Sequence, residues 1–174
     1  RWGVAPDILT FAKGVTSGYI PLAGMQISDS IHHAIETAPE DEYWAHGFTY
    51  TGHATACAVA LKNIEIIERE ELLLNALRMG EMLQKGLESL LEFSCLDNVR
   101  GLGLLCGVEF VKDRATREPD PELAMKVYRG CLERGMQSRP IGNTMAFAPS
   151  LIINKEEVNQ IIDILGAVLD SMQM

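Results

Sequence analysis

Short apolar runs alternate along this chain with longer segments whose apolar residues recur at helical spacing. Ile8–Ala12 and Thr144–Phe147 are short runs typical of strands, whereas 72–91 and 154–172 carry one apolar stripe each at helical spacing. A chain in which predicted strands and helices alternate in this way folds as an α/β or α+β protein. The pattern changes near residue 70, where we predict a domain boundary.

The same reasoning assigns the remaining elements. We predict strands over the segments 8–12, 22–27, 102–111, 137–139 and 144–147. We predict helices over 28–37, 54–68, 72–91, 122–134 and 154–172, with Ser28 as a cap of the first. Because the 8–12 run is continuously apolar, it is expected to be a buried strand. Asn154 with Glu157 three residues later is a capping-box pattern, which predicts the start of the last helix. The segment 112–121 is expected to be an exposed loop.

The charge balance excludes several kinds of partner. Lys and Arg number 15 against 24 Asp and Glu, which gives a net charge of −9 without any basic run. Such a chain repels phosphates, so binding to nucleic acid or to an anionic membrane surface is not expected. No apolar stretch approaches the roughly 18 residues of a membrane span. The four cysteines form no C-x-x-C pair and the histidines show no metal-ligand spacing, which favours free thiols, a cytoplasmic setting and no metal site.

Lys13 is the first candidate for chemistry. It ends the apolar run 8–12 and precedes Gly14, so its amine is expected at a strand end beside a glycine-rich loop. Open α/β sheets bind ligands at such strand ends. A lysine partly removed from water there is nucleophilic and can form a Schiff base with a carbonyl group. The alternative is a solvated surface lysine.

Two further segments contain candidate binding residues. The 47–53 loop carries threonine hydroxyls and leads into a predicted helix, whose N-terminus favours a phosphate, although an ordinary turn explains the same residues. Arg139 lies between two predicted strands, where its guanidinium suits either a substrate carboxylate or a structural salt bridge. The glycines of 101–107 have the wrong spacing for a dinucleotide loop, and we interpret them as strand and turn glycines.

Two segments also carry a family resemblance: PDILTFAKGVTSGYIPLAG at 6–24 and HGFTYTGHATACAVAL at 46–61. They closely resemble the class III, or omega, aminotransferases, which are pyridoxal-phosphate enzymes of fold type I. Weaker similarity continues through VRGLGLLCGVEFVKD at 99–113 and FAPSLIINKEEV at 147–158. The resemblance implies an α/β fold in which 1–69 is the C-terminal part of the large, cofactor-binding domain. It assigns 70–174 to the small C-terminal domain.

The resemblance also implies roles for individual residues. Lys13 matches the lysine that holds pyridoxal 5'-phosphate as an internal aldimine. Thr49 matches a threonine that binds the cofactor phosphate of the neighbouring subunit, and Phe48 lies beside it in the same loop. Arg139 resembles the mobile arginine that meets the substrate carboxylate in many members. A homodimer with active sites at the subunit interface is therefore implied.

The implied reaction is a ping-pong transamination, in which an amino group passes from an amino acid or amine to a keto acid. Aminomutase, decarboxylase or racemase chemistry on the same fold stays open, as does a non-catalytic remnant. Segments that the family carries before the lysine motif have no counterpart here. We therefore expect a C-terminal fragment that carries the lysine and is inactive alone.

Overall fold

The computed structural model describes residues 3–172, and the chain divides after Glu70 into two compact units. In the first unit, strands β1 (Ile8–Ala12) and β2 (Ala23–Ile27) form an antiparallel pair. A 3-10 turn, Lys13–Thr16, directly follows β1. Two helices complete this unit, α1 (Asp29–Glu36) and α2 (Ala54–Arg69). The strands and helices predicted for this region are thus present.

Strand β1 is exposed along its whole length, which corrects the expectation of a buried strand. A sheet of two strands covers little of either face, so Ile8, Leu9 and Phe11 remain exposed although they are apolar. Ser28 precedes α1 at the predicted N-cap position, but its hydroxyl accepts no bond from a backbone N–H of the helix among residues 3–172. It donates instead to the Asp7 carboxylate, at 3.1 Å.

The second unit is an antiparallel sheet packed against helices. Its elements are α3 (Leu72–Ser89), β3 (Leu96–Leu102), β4 (Leu105–Asp113), β5 (Glu118–Pro119), α4 (Pro121–Glu133), β6 (Arg139–Ile141), β7 (Thr144–Phe147) and α5 (Lys155–Ser171). The strands run in the order β3-β4-β7-β6, and β5 pairs with β4. One face of β4 contributes Cys106, Val108 and Phe110 to a core that α3, α4 and α5 complete. This mixed arrangement of helices and strands confirms the predicted α/β character.

Three differences from the predicted elements lie in this sheet. Residues 105–111 of the strand predicted over 102–111 belong to β4, but Leu102 ends a separate strand, β3. The two strands form a hairpin that turns at Gly103, whose φ of 56° suits glycine. The expected loop over 112–121 contains β5 and the start of α4. The strand predicted over 137–139 is β6, found at Arg139–Ile141. Gly101 and Gly107 lie within β3 and β4, so the interpretation as strand and turn glycines is confirmed.

Side-chain caps fix the ends of the helices in the second unit. Asn154 and Glu157 form the predicted capping box at the start of α5, at 2.9 and 3.0 Å. The Asp120 carboxylate accepts from the Leu123 N–H and begins α4. The Arg114 guanidinium donates to three backbone carbonyls between the end of α3 and the first residue of β3, those of Leu91, Phe93 and Leu96. None of the helices among residues 3–172 has the length and apolar character that crossing a membrane requires.

Candidate functional site

Lys13 lies where β1 ends and the 3-10 turn begins. Its φ is 53°, in the left-handed region that a residue with a Cβ avoids at a cost of about 1–2 kcal/mol. Such conformations persist only where neighbouring contacts hold them, and they cluster at functional sites. Lys13 is exposed, so the expected partial removal of this side chain from water is not found within the described chain.

An open depression lies beside this lysine. It has a volume of about 530 Å³ and is lined mostly by small and apolar residues: Ala12, Lys13, Thr16, Gly18, Ile20, Pro21, Leu22 and Ala23. Among residues 3–172, no carboxylate lies within ion-pair distance of the Lys13 amine. The arrangement therefore presents a primary amine, without a charged partner in the described chain, at the edge of a cavity large enough for a small molecule.

Two side chains that sequence reasoning did not single out hold the turn. Thr16 is the one buried polar residue of the described chain, and its hydroxyl donates to the Ile20 carbonyl at 2.6 Å. The Asn63 side chain, on α2, donates to the Gly14 carbonyl at 3.0 Å and to the Val15 carbonyl at 3.1 Å. In the sequence, Asn63 lies at helical spacing after Ala56 and Ala60, the buried residues of α2. This spacing indicates that Asn63 lies on the packed face of the helix, although it does not identify what the side chain contacts.

Phe48 and Thr49 lie in an exposed turn that leads into α2. The turn is closed by a reciprocal pair of hydrogen bonds, in which the Phe48 N–H donates to Thr51 Oγ1 at 2.8 Å and the Thr51 N–H donates to the Phe48 carbonyl at 2.9 Å. His53 then caps α2, because its Nδ1 accepts from the Ala56 N–H. The turn therefore holds Thr49, with its hydroxyl, four residues before a capped helix N-terminus.

The structure brings Lys13, Phe48 and Thr49 into one unit, and Arg139 belongs to the other. The lining of the Lys13 depression includes neither Phe48 nor Thr49 within the described residues. Arg139 begins β6 and is exposed, opposite Ala146 of β7. No acidic side chain of residues 3–172 pairs with it, so the salt-bridge alternative has no partner in the part of the chain that the structure describes.

Three of the four thiols are poor competitors of Lys13 as nucleophiles, and the fourth, Cys57, is half-buried. Cys95, Cys106 and Cys131 are buried, and burial raises the pKa of each thiol, that of Cys131 to about 11. A thiol with a raised pKa holds little thiolate near neutral pH and is therefore a poor nucleophile. No group of three His, Cys, Asp or Glu side chains among residues 3–172 is arranged to hold a metal ion. Lys13 is thus the strongest candidate for covalent chemistry.

Comparison with known proteins identifies the family. The family model for aminotransferase class-III matches residues 1–169. An adenosylmethionine-8-amino-7-oxononanoate aminotransferase of Aquifex aeolicus is 37% identical over 98% of this chain and 39% of its own length. A putrescine–pyruvate aminotransferase of Pseudomonas aeruginosa is 36% identical over 97% of this chain and 37% of its own length. This chain therefore spans about two fifths of the length of these relatives.

Solved structures give the same result for the fold. An (S)-enantioselective omega-transaminase from Thermomicrobium roseum superposes with a TM-score of 0.90 at 40% identity, covering 98% of this chain and 38% of that one. An amine transaminase from an uncultivated Pseudomonas species, in its PLP-bound (internal aldimine) form, gives a TM-score of 0.92 at 38% identity, over 98% of this chain and 39% of its own. The implied fold, part of a fold type I transferase, is confirmed, and the chain belongs to the class III aminotransferase family.

Proposed function

We propose that this chain carries the reactive lysine of a pyridoxal-phosphate-dependent transaminase, which moves an amino group from an amino acid or amine to a keto acid in two half-reactions. The observation that carries the proposal is Lys13 itself. Its backbone is held in a left-handed conformation at the end of β1, and its side chain lines the 530 Å³ depression. Backbone strain clusters at functional sites, and in combination with the depression it supports a functional role for the Lys13 side chain.

The residues present fit the cofactor. Pyridoxal phosphate supplies an aldehyde that condenses with amines and a ring that accepts electrons from the substrate carbon. Lys13 offers a primary amine without an ion-pair partner among the described residues, as condensation with an aldehyde requires. The same Nζ can take a proton from the donor carbon and return it, acting as general base and then as general acid.

The other candidate residues take binding roles in this proposal. The Thr49 hydroxyl binds the cofactor phosphate, which is favoured before a helix N-terminus. Phe48 lies beside it in the same turn. Arg139 binds the substrate carboxylate, and its guanidinium is exposed and has no acidic partner in the described chain.

A second copy of the chain is part of the proposal. Phe48 and Tyr50 are 74% and 79% exposed, which is unusual for neighbouring aromatic side chains unless a partner covers them. We assign that surface to a homodimer interface, where Thr49 of one subunit serves the cofactor of the other. The unit before residue 70 is assigned to the large cofactor-binding domain (1–69) and the remainder to the small C-terminal domain (70–174). The four free cysteines suit a cytoplasmic setting.

The chain by itself is proposed to be inactive. It spans only 37–39% of the length of the relatives described above, so it lacks counterparts for most of their residues. Binding of the cofactor by Lys13 and turnover of substrate are therefore separate questions.

The test is to incubate the protein with pyridoxal phosphate, reduce with borohydride and map the labelled lysines by mass spectrometry. Lys13 is expected to be trapped ahead of Lys155, an exposed lysine at the start of α5 that serves as an internal reference. Lys13→Ala should remove that label, whereas Lys155→Ala should leave the label at Lys13 unchanged. Equal labelling of Lys13 and Lys155 in the wild type would contradict the proposal and favour a non-catalytic remnant.

A further inference from the structure

Helix α2 contacts the lysine turn through one of its faces. Ala56, Ala60 and Asn63 follow one another at spacings of four and three residues, so they share that face. The two alanines are the buried residues of the helix, and their small side chains allow it to approach the 3-10 turn closely. Asn63 is the polar residue that completes the contact.

Asn63 bridges two successive carbonyls of the turn. Its Nδ2 donates to the Gly14 oxygen at 3.0 Å and to the Val15 oxygen at 3.1 Å, so both amide hydrogens are used. A four-residue 3-10 turn satisfies few of its own carbonyls. Within residues 3–172, the Gly14 oxygen otherwise accepts only from the Ser17 N–H. The side chain thus ties helix α2 to the two residues that follow Lys13.

The turn needs such support because both of its ends are strained. Lys13 has a φ of 53° and Ser17 a φ of 51°, and neither residue is glycine. Thr16 holds the later end through its bond to the Ile20 carbonyl. At the earlier end, the described contacts that fix the backbone after Lys13 are the two bonds from Asn63 and the Ser17–Gly14 bond.

We propose that Asn63 is a positioning residue for the reactive amine: it holds Lys13 in its left-handed conformation and thereby fixes the direction in which the side chain leaves the backbone. Without the bridge, Lys13 relaxes to an ordinary conformation and its amine spends less time at the depression. The inference rests on the proposed function of Lys13. It adds Asn63, a residue on helix α2, as a side chain that controls the position of the Lys13 amine. Because His53 caps the same helix, α2 also connects the Thr49 turn to the lysine turn.

The test compares Asn63→Asp with a matched change elsewhere. Asp keeps the shape of Asn but presents acceptors to the two carbonyls, so the bridge is lost. Asn75 of α3 makes the same kind of bridge in the second unit, to the carbonyls of Leu151 at 2.8 Å and Ile153 at 2.9 Å. Asn75→Asp therefore removes an equivalent structural contact that is not part of the lysine turn.

The first readout is the ratio of borohydride-trapped pyridoxal phosphate at Lys13 to that at Lys155. Asn63→Asp should lower this ratio on the order of tenfold, a change that corresponds to releasing the strain of one left-handed residue. Asn75→Asp should leave it at the wild-type value. A ratio unchanged in Asn63→Asp, or lowered equally by Asn75→Asp, overturns the positioning role.

The second readout needs no cofactor and so separates this inference from the proposed function. Amide hydrogen exchange at Ser17, whose N–H donates to the Gly14 carbonyl, should be roughly tenfold faster in Asn63→Asp, while exchange within α3 is unchanged. Unchanged exchange at Ser17 overturns the inference whatever Lys13 does. If wild-type Lys13 shows no preferential trapping but Ser17 exchange responds, the proposed function fails and the bridge is only structural.

If Asn63→Asp does not fold, Asn63→Ser replaces it, because serine is too short to reach both carbonyls. The same fall in the trapping ratio and the same faster exchange at Ser17 are then expected.

Discussion

Gly80 of helix α3 lies directly against the backbone of Gly103, the residue at which β3 turns into β4. A Cβ placed on Gly80 would overlap the carbonyl group of Gly103. Backbone cannot rotate away as a flexible side chain can, so only glycine allows the helix to approach this turn. The same helix buries Leu83 and Leu87 in the core of the second unit, and the position of α3 on the sheet depends on the contact.

Gly80→Ala should therefore destabilise the second unit. Alanine favours helix by itself, but separating α3 from the hairpin costs about 1–3 kcal/mol, as overpacking of a close contact does. The measurement is the free energy of unfolding from urea titration followed by circular dichroism. Gly166→Ala in α5 is the matched control, because its added methyl group would meet only a Leu90 methyl at an ordinary 3.4 Å. Equal free energies of unfolding for the two variants would contradict the prediction, because they would show that α3 can move away from the Gly103 turn without loss of stability.

The Phe48–Thr51 turn gives a second prediction. Thr51→Val removes the oxygen that accepts from the Phe48 N–H while keeping the shape of the side chain. A hydrogen bond of this kind contributes about 1 kcal/mol, so the turn should open about fivefold more often. Chymotrypsin cleavage after Phe48 or Tyr50, both highly exposed, measures that opening. Thr51→Ser retains the oxygen and should be cleaved at the wild-type rate; cleavage as fast as in Thr51→Val would refute the role of the hydroxyl.

Features with a local signal were predictable from the sequence. The ends of β1 follow from an apolar run closed by Lys13 and Gly14, and the start of α5 follows from the spacing of Asn154 and Glu157. The β3–β4 hairpin was missed because the residues on both sides of Gly103 are apolar. The glycines of 101–107 indicated a turn in this region, but only the backbone conformation of Gly103 places it between two strands.

Features that depend on distant contacts were not predictable. The burial of β1 was predicted wrongly, because an apolar run indicates a strand but does not say how many neighbours the strand has. Asn63 was missed because its hydrogen bonds join residues 49 and 48 positions apart in the sequence. Lys13 was identified by its place after a strand. Its left-handed backbone was not predictable, because lysine is not a residue type that favours this conformation.

The buried thiol of Cys131 predicts how stability depends on pH. Burial in α4 raises its pKa from 9.0 to about 11, because the charged thiolate is disfavoured there. Below pH 9 the thiol is protonated in both the folded and the unfolded chain, and its contribution to stability is fully present. Between about pH 9 and 11 only the unfolded chain loses the proton, so the free energy of unfolding falls by about 1.4 kcal/mol per pH unit.

Cys131→Ala should reduce this alkaline slope by about that amount, even though the smaller side chain lowers stability at every pH. The measurement is a series of urea titrations between pH 8 and about pH 11, in which the slope is read independently of the absolute stability. Cys57→Ala is the control, because Cys57 is only half-buried and lies in the first unit. If Cys131→Ala retained the full wild-type slope, the alkaline loss of stability would have to arise from groups other than this thiol, such as Cys95 and Cys106, whose pKa values burial also raises.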